Sequence, residues 1–520
     1  MGREGWGEGG GGQVWPYWLL VSSLGTMTAT SEAPSTPTTE FASLDPATGA
    51  EIARFPVNTA AEVRQAVERA RPAARWWASL DPKQRRARLH AWRHRLVERT
   101  DELSRLIARE NGKPVDDAVL EVTIAIAHLS WAADHAHRIL GRRRVSPGLL
   151  AVNHAATCEY LPFGVVGVIG PWNYPVHTPL GSISYALAAG NAVVFKPSEY
   201  TPAIGQWLVH SFAEVVPEQP VFQLLTGFAD TGNALCTASV DKLAFTGSAA
   251  TGRKVMAACA TNLTPCVVEC GGKDALIVAA DADLDLAADQ AVWGGMFNAG
   301  QTCAGVERVY VEAPVYEQFL TKLTAQARRL QAGRDYGPIT MPGQLAIIDR
   351  HLTDALAQGG RALLGGPESI REPFVDPVLL VDVPADAAAS TEETFGPTLT
   401  VTKVASVAEA VVRANDSGYG LGASVFSRRQ GHQIAEQLEV GMVSINSVLT
   451  YASIPGLPWG GSRESGFGRI HGPDGLKEFA RSRAITGQRF PIPLRLSTFH
   501  PSKNAVGQLK QLARLRWGRG

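Results

Sequence analysis

Cys303 stands within Asn298-Ala299-Gly300-Gln301-Thr302-Cys303-Ala304-Gly305, among small and polar residues, after a helical stretch ending near Phe297 and before an apolar run, Val306 to Val311. Thiolate chemistry needs such surroundings, because a thiol sealed in apolar packing has a raised pKa and is inert. Taken alone, a lone cysteine is more often a small core residue. Two further groups could complete a nucleophilic site. Glu269, in Val267-Val268-Glu269-Cys270-Gly271-Gly272-Lys273, is either a general base or an ordinary strand-end charge. Asn173, in Gly170-Pro171-Trp172-Asn173-Tyr174-Pro175, carries an amide that a turn could aim at an oxyanion, although Asn is also a common turn former.

Other stretches suit a nucleotide. Lys196 and Glu199, in Lys196-Pro197-Ser198-Glu199, could hold ribose hydroxyls or be surface charges. Gly247 and Ser248 precede a helix, whose first backbone N–H groups suit a pyrophosphate, although the pattern is not G-x-G-x-x-G. Glu393 and Phe395 belong to Glu392-Glu393-Thr394-Phe395-Gly396-Pro397, a loop whose carboxylates would be exposed unless they hold a ligand.

The elements that must position these residues are legible as short apolar runs alternating with helical stretches: Val165 to Ile169, Ala192 to Phe195, Phe222 to Leu225 and Leu243 to Phe245. Continuous apolar strands separated by helices predict an α/β fold with a parallel sheet buried on both faces, whose ligands bind at the carboxyl ends of the strands. A second sheet is expected from Ala275 to Val278, Val306 to Val311, Leu399 to Val401, Ala423 to Phe426 and Met442 to Ile445, with a domain boundary near Glu269. Upstream, Thr59 to Glu62 reads as a capping box starting a helix towards Trp77. A second helix starts at Asp81-Pro82, with Leu89, Trp92 and Leu96 on one face and Arg85, Arg86, Arg88, Arg93 and Arg95 as its solvated side. A third is expected from Asp117 to Leu140.

Composition excludes several classes. The chain has 520 residues, 45% hydrophobic and 19% charged, with 49 basic and 49 acidic side chains. No basic excess is available to neutralise phosphates, so no nucleic-acid partner is expected. The six cysteines include no C-x-x-C pair and the histidine spacing completes no zinc site, so no metal is expected and a reduced cytoplasm is the simplest location. G-x-S-x-G, H-E-x-x-H and P-loop motifs are absent. Residues 1–41, with seven glycines in the first twelve, read as a disordered tail, or one mis-assigned upstream of Met27. Within it, Trp15 to Leu24 is too short to span a bilayer, which takes about 20 residues. At the other end, residues 500–520 form a basic amphipathic tail. Val506, Leu509, Leu512, Ala513 and Trp517 fall on one helical face, suited to weak membrane-surface contact or to docking on the protein body.

Taken together and in order, PWNYP (171–175), KPSE (196–199), FTGS (245–248), ECGGK (269–273), GQTC (300–303), EETFGP (392–397) and PWGGSRESGFGR (458–469) resemble the aldehyde dehydrogenase superfamily over residues 42 to 490. The resemblance implies an aldehyde dehydrogenase-like α/β fold. It would have a Rossmann-type NAD-binding domain (42–145 and 163–269), an α/β catalytic domain (270–466) and oligomerisation strands (146–162 and 480–495) that make a homodimer or homotetramer. It implies Cys303 as nucleophile, Asn173 with the backbone N–H of Cys303 as oxyanion hole, and Glu269 as the base that hydrolyses a thioester. Trp172, Lys196, Glu199, Gly247, Ser248, Glu393 and Phe395 fall on cofactor contacts. Glu199 can accept both ribose hydroxyls and repels a 2′-phosphate, which favours NAD over NADP.

Two departures stand out: Cys270 replaces a common Leu, and Ile470-His471 follows Arg469 where some relatives carry a proton-relaying Glu. His471 is expected as an exposed loop residue. A coenzyme-A-acylating relative is the nearest alternative, although such enzymes generally lack the general-base Glu. A non-catalytic NAD-binding protein on the same fold is the other. The resemblance implies a small-molecule aldehyde as substrate and leaves open whether it is succinate semialdehyde or an apolar aldehyde. Trp172, Tyr174, Val176, Trp293, Phe297 and Trp459 are expected to line an aromatic channel, and no Arg is assignable to a substrate carboxylate.

Overall fold

The computed structural model describes residues 39–492 and 498–518. The glycine-rich start, the Trp15 to Leu24 run and Met27 lie outside the described residues. The described residues open with a strand Glu40–Leu44 paired with Glu51–Pro56, so residues 40 and 41, expected in the tail, belong to it.

Two sheets carry the fold. The first runs in the order Gly466–Phe467, Cys266–Glu269, Lys242–Thr246, Val165–Ile169, Ala192–Lys196, Phe222–Leu224. Its last five strands are mutually parallel, and Gly466–Phe467 is antiparallel. The second runs Arg361–Leu364, Val378–Val381, Thr398–Val404, Val306–Glu312, Asp274–Val278, Gly422–Phe426, Met442–Ile445, parallel except at the Arg361–Leu364 edge. Ala192–Lys196 and Asp274–Val278 are buried at every position, which is why they read as unbroken apolar runs.

A third, antiparallel sheet joins Ala480–Gln488 to His154–Pro162, with Arg143–Val145 on the outer edge. Arg143–Val145 is wholly exposed, as is Ala480–Gln488 after its first residue. Beyond it, the terminal helix Ala505–Trp517 leaves Val506, Leu515 and Trp517 exposed.

Helices cover the sheets. Thr59 and Glu62 form the expected capping box for Ala60–Ser79, with Thr59 N–H donating to Glu62 Oε2 at 2.7 Å. Trp77 and Trp92 are fully buried, and each indole N–H finds an acceptor: the Leu187 carbonyl at 2.8 Å and Ser211 Oγ at 2.9 Å. The run after Asp81 is not one helix but two, Pro82–Glu98 and Thr100–Glu110, breaking at Arg99. The next starts two residues earlier than expected, Val115–Leu140, because Pro114 can precede a helix but not continue one. The arginines of Pro82–Glu98 are solvated and ion-paired, Arg86 with Asp134 and Arg88 with Glu218. Arg85 departs from that expectation. It is half-buried and donates to the carbonyls of Trp77 and Leu80, satisfying the open C-terminus of the preceding helix.

Candidate active site

The first sheet puts the chemistry-bearing residues along one edge. Ile169 is in register with Lys196 on one side and Phe245 on the other, and Thr246 with Glu269. The carboxyl ends leading to Asn173, Lys196, Gly247-Ser248 and Glu269 therefore face the same way. Lys196 and Glu269 lie three strand spacings apart, about 14 Å. That span suits an extended dinucleotide with its ends at these two residues.

Cys303 follows a turn in which Asn298, Ala299 and Gly300 are successively left-handed, with φ of 54°, 57° and 71°. Two non-glycine residues in that region cost about 1–2 kcal/mol each. They are held by Asn298 Nδ2, which donates to the Asn173 carbonyl at 3.1 Å, and by Gln301 Nε2, which donates to the Asn298 carbonyl at 3.0 Å. At Gly300 a Cβ would lie 2.0 Å from the Gly396 carbonyl oxygen, so only glycine fits. The side-chain amide of Asn173 donates to the Gln301 carbonyl at 3.0 Å, two residues before the thiol.

The Asn173 turn is fixed from below by a buried ion pair. Lys113 Nζ lies 2.6 Å from Glu121 Oε2 and donates to the Asn173 carbonyl at 2.9 Å, and the other Glu121 oxygen accepts from the backbone N–H groups of Val176 and His177. Asn111 Nδ2 donates to the Trp172 carbonyl at 3.0 Å. Neither Lys113 nor Glu121 stands out in the sequence, since an i,i+8 pair has no local signature.

Glu269 is 4% exposed, and its Oε1 has no hydrogen-bond partner. Burial pushes its pKa up to about 8, tempered by the Trp459 indole and the Arg469 charge. Glu393 does not project into solvent. Its Oε1 accepts from Gly272 N–H at 2.8 Å, and a Cβ on Gly271 would meet it at 2.0 Å. Burial, then the nearby Glu307 charge, raises Glu393 to about 8 as well. The turn is held by Glu307, which pairs with buried Lys273 and accepts from the N–H groups of Thr394 and Phe395. Burial, followed by the charges of Glu393, Glu269 and Asp274, drives the Cys303 thiol far up. These charges and the sulfur thus share one poorly solvated region.

A cavity of about 400 Å³ opens on Cys303. Tyr174, Trp293, Phe297 and Trp459 line it as expected, together with Leu120, Ile124 and Leu449. Trp172 and Val176 do not. Trp172 packs edge-on against Phe395 at 5.5 Å, and Val176 is buried in the core at the start of a helix. The acids Asp117, Glu121 and Asp289 reach the cavity, but among the described residues lining it there is no Lys or Arg.

The match to known proteins spans this whole arrangement. The aldehyde dehydrogenase family pattern covers residues 33–485. The chain belongs to the aldehyde dehydrogenase family. It is 39% identical over 480 residues to a 4,4'-diapolycopene aldehyde oxidase of Methylomonas sp, covering 91% of this chain and 90% of that protein. It is 35% identical over 446 residues to a glutarate-semialdehyde dehydrogenase of Pseudomonas aeruginosa, covering 84% and 91%. Among solved structures, lactaldehyde dehydrogenase from Escherichia coli superposes with a TM-score of 0.83 at 30% identity, covering 89% of this chain and 97% of that one. The protein is an oxidoreductase that oxidises aldehydes with NAD(P).

The aldehyde dehydrogenase edge fits such a cofactor. Lys196 is 4% exposed, yet its ammonium reaches only the Pro197 carbonyl at 3.1 Å and, at 3.8 Å, Glu199. A buried ammonium with donors to spare is suited to hydroxyl oxygens of a ribose. Ser248 caps the helix Ala249–Ala260 through its hydroxyl, and backbone N–H groups at such a helix start suit a phosphate.

The expectation for His471 also fails. His471 is not an exposed loop residue but 2% exposed, packed with His128 and His177 beside the cavity. Desolvation holds its pKa well below the usual histidine value. The three residues are far apart in the chain, so no spacing rule could group them. Among the described residues, no helix is long and apolar enough to cross a membrane.

Proposed function

We propose that this enzyme oxidises a long, uncharged apolar aldehyde to the carboxylic acid with NAD. The observation that carries the substrate class is the cavity wall, aromatic and aliphatic around Cys303, with carboxylates but no cation. A semialdehyde carboxylate would enter unpaired, against acidic neighbours, at a desolvation cost of several kcal/mol. An apolar chain gains about 25 cal/mol per Å² it buries there. The similarity to an enzyme named for a long apolar aldehyde points the same way.

In this reading the Cys303 thiol gives up its proton to water in the cavity as the sulfur attacks the carbonyl carbon, and the resulting alkoxide is held by the Asn173 amide and the Cys303 N–H. The nicotinamide of bound NAD supplies the hydride acceptor. Loss of hydride from the thiohemiacetal leaves a thioester on Cys303. Glu269, with a pKa of about 8, takes a proton from water, which attacks the thioester carbonyl, releasing the acid and regenerating the thiol. A buried base in this position supports hydrolysis over transfer to coenzyme A. Lys196 and Glu199 hold the adenosine ribose, Gly247 and Ser248 the pyrophosphate, and Trp172, Glu393 and Phe395 the nicotinamide end. Glu199 supports NAD over NADP through repulsion of a 2′-phosphate.

The segments 42–145 with 163–269 make the cofactor domain in this reading, and 270–466 the catalytic domain. The exposed third sheet (146–162 with 480–495) joins subunits into a dimer or tetramer, and six free cysteines suit a reducing cytoplasm. Ala505–Trp517, with Val506, Leu515 and Trp517 exposed, would add weak membrane-surface contact. NADH release over a panel of aldehydes graded in length and charge tests the substrate class. A higher kcat/KM for succinate semialdehyde than for a long-chain aldehyde rejects it, and a higher kcat/KM with NADP rejects the cofactor preference.

A further inference from the structure

His128, His177 and His471 come from three separate elements: the helix Val115–Leu140, the first turn of His177–Ala189 and the residue before Gly472–Glu478. One nitrogen of each ring lies within 4.8 Å of one nitrogen of both others. Ring centroids are 3.8 Å apart for His128 and His471, 5.3 Å for His128 and His177, and 5.6 Å for His177 and His471.

Three buried ring nitrogens here have no hydrogen-bond partner: His128 Nδ1, His177 Nδ1 and His471 Nε2. An unsatisfied buried polar atom costs about 1–3 kcal/mol, and each ring of the cluster carries one. The tautomer of His128 is set by its surroundings. Its Nε2 lies 2.9 Å from the Ala452 carbonyl, which can only accept, so Nε2 carries the hydrogen and Nδ1 presents a lone pair. A ring N–H held by a backbone carbonyl is the usual outer support of a ligating histidine.

We infer that His128, His177 and His471 bind one divalent transition-metal ion of the zinc class, with its open coordination position turned to the cavity. Three imidazole nitrogens and no hard oxygen ligand suit Zn²⁺, Co²⁺ or Ni²⁺ over Mg²⁺ or Ca²⁺. Nitrogens on a tetrahedral zinc ion lie about 3.4 Å apart, given bonds of about 2.0–2.1 Å. The ligating nitrogens need to close by at most about 1.4 Å from 4.8 Å, and His128 and His471, stacked with centroids 3.8 Å apart at a 39° tilt, must also turn so that both lone pairs point at the ion. His177 is half-buried and, like His471, lines the cavity, so closure has room on that side. Three protein ligands leave a fourth position for water or for an oxygen of a bound molecule. Because His177 and His471 line the aldehyde cavity, a bound ion would add positive charge to a wall that otherwise has none, so the substrate reading above applies to the metal-free enzyme.

The test is a Co²⁺ titration of the full chain in a Cys303→Ser background, which removes the thiol that opens on the same cavity. One equivalent with visible d–d absorption is expected, and Zn²⁺ should displace it. Losing a mere outer-shell partner costs roughly 10–100-fold in metal affinity, so losing a ligand through His177→Ala or His471→Gln should weaken binding at least about 100-fold. Far-UV circular dichroism identifies which variant is folded, and Zn²⁺ should raise the Tm of the parent but not of that variant. No Co²⁺ spectrum at millimolar metal, or one unchanged in the folded variant, overturns the assignment.

Discussion

The Lys113 ammonium and the Glu121 carboxylate form a buried pair at 2.6 Å whose spare valences hold the Asn173 turn from both ends. Breaking it leaves an uncompensated charge in the core, which typically costs about 3–5 kcal/mol. Lys113→Met should lower the Tm and also kcat, because the turn carrying the oxyanion amide loses its anchor. Adding Glu121→Leu should restore Tm but not kcat. Recovery of both together would show that the pair serves stability alone.

Asn173→Ala should reduce kcat by about 10²–10³-fold with little change in KM, the usual effect of removing one oxyanion donor. Steady-state NADH release measures it, and unchanged turnover removes Asn173 from the mechanism.

Glu269 must lose its proton to act as a base, so the hydrolytic rate should climb as pH rises through about 8 and level off above it. Glu269→Gln should keep a single-turnover burst of NADH, abolish the pH rise, and let a Cys303 thioester accumulate, visible by mass spectrometry. Stability moves the opposite way. A carboxyl raised from 4.5 to about 8 is protonated when folded and ionised when unfolded between those values. Its contribution is therefore present below 4.5 and lost as pH rises towards 8. Glu269→Gln should thus raise the Tm relative to wild type at pH 9 and change it little at pH 4.5.

Ile124 lines the cavity, so Ile124→Arg supplies the cation the wall lacks. The ratio of kcat/KM for succinate semialdehyde to that for a long-chain aldehyde should rise at least about tenfold, the equivalent of one charge-assisted hydrogen bond. An unchanged ratio would mean that the aldehyde does not pass this wall.

Gly300→Ala should inactivate without abolishing the fold. Its φ of 71° and the Gly396 carbonyl 2.0 Å from a would-be Cβ force the turn to shift, and the sulfur with it. Full activity in a folded Gly300→Ala protein would show that the turn does not set the sulfur's position.

Much of this was legible in the chain, for definable reasons. Strands buried on both faces, such as Ala192–Lys196, carry an unbroken apolar signature, and the Thr59–Glu62 box is a local pattern with a local cause. Gly300 and Cys303 sit in one short stretch, so their neighbourhood travels with the motif. What escaped was contact made across the fold. Lys113 and Glu121 meet over two helical turns, and His471 reaches His128 across more than three hundred residues. Val378–Val381 was not read as a strand, although it is wholly buried. Arg85 misled because a long side chain on a polar helix face can turn back to meet carbonyls rather than solvent.

The elevated thiol of Cys303 bears on survival as well as on catalysis. Peroxide and electrophiles attack sulfur mainly as the anion, so a resting enzyme that keeps its hydrogen is spared needless oxidation between turnovers. The same proton must leave before the sulfur can attack, so its reactivity waits on that removal.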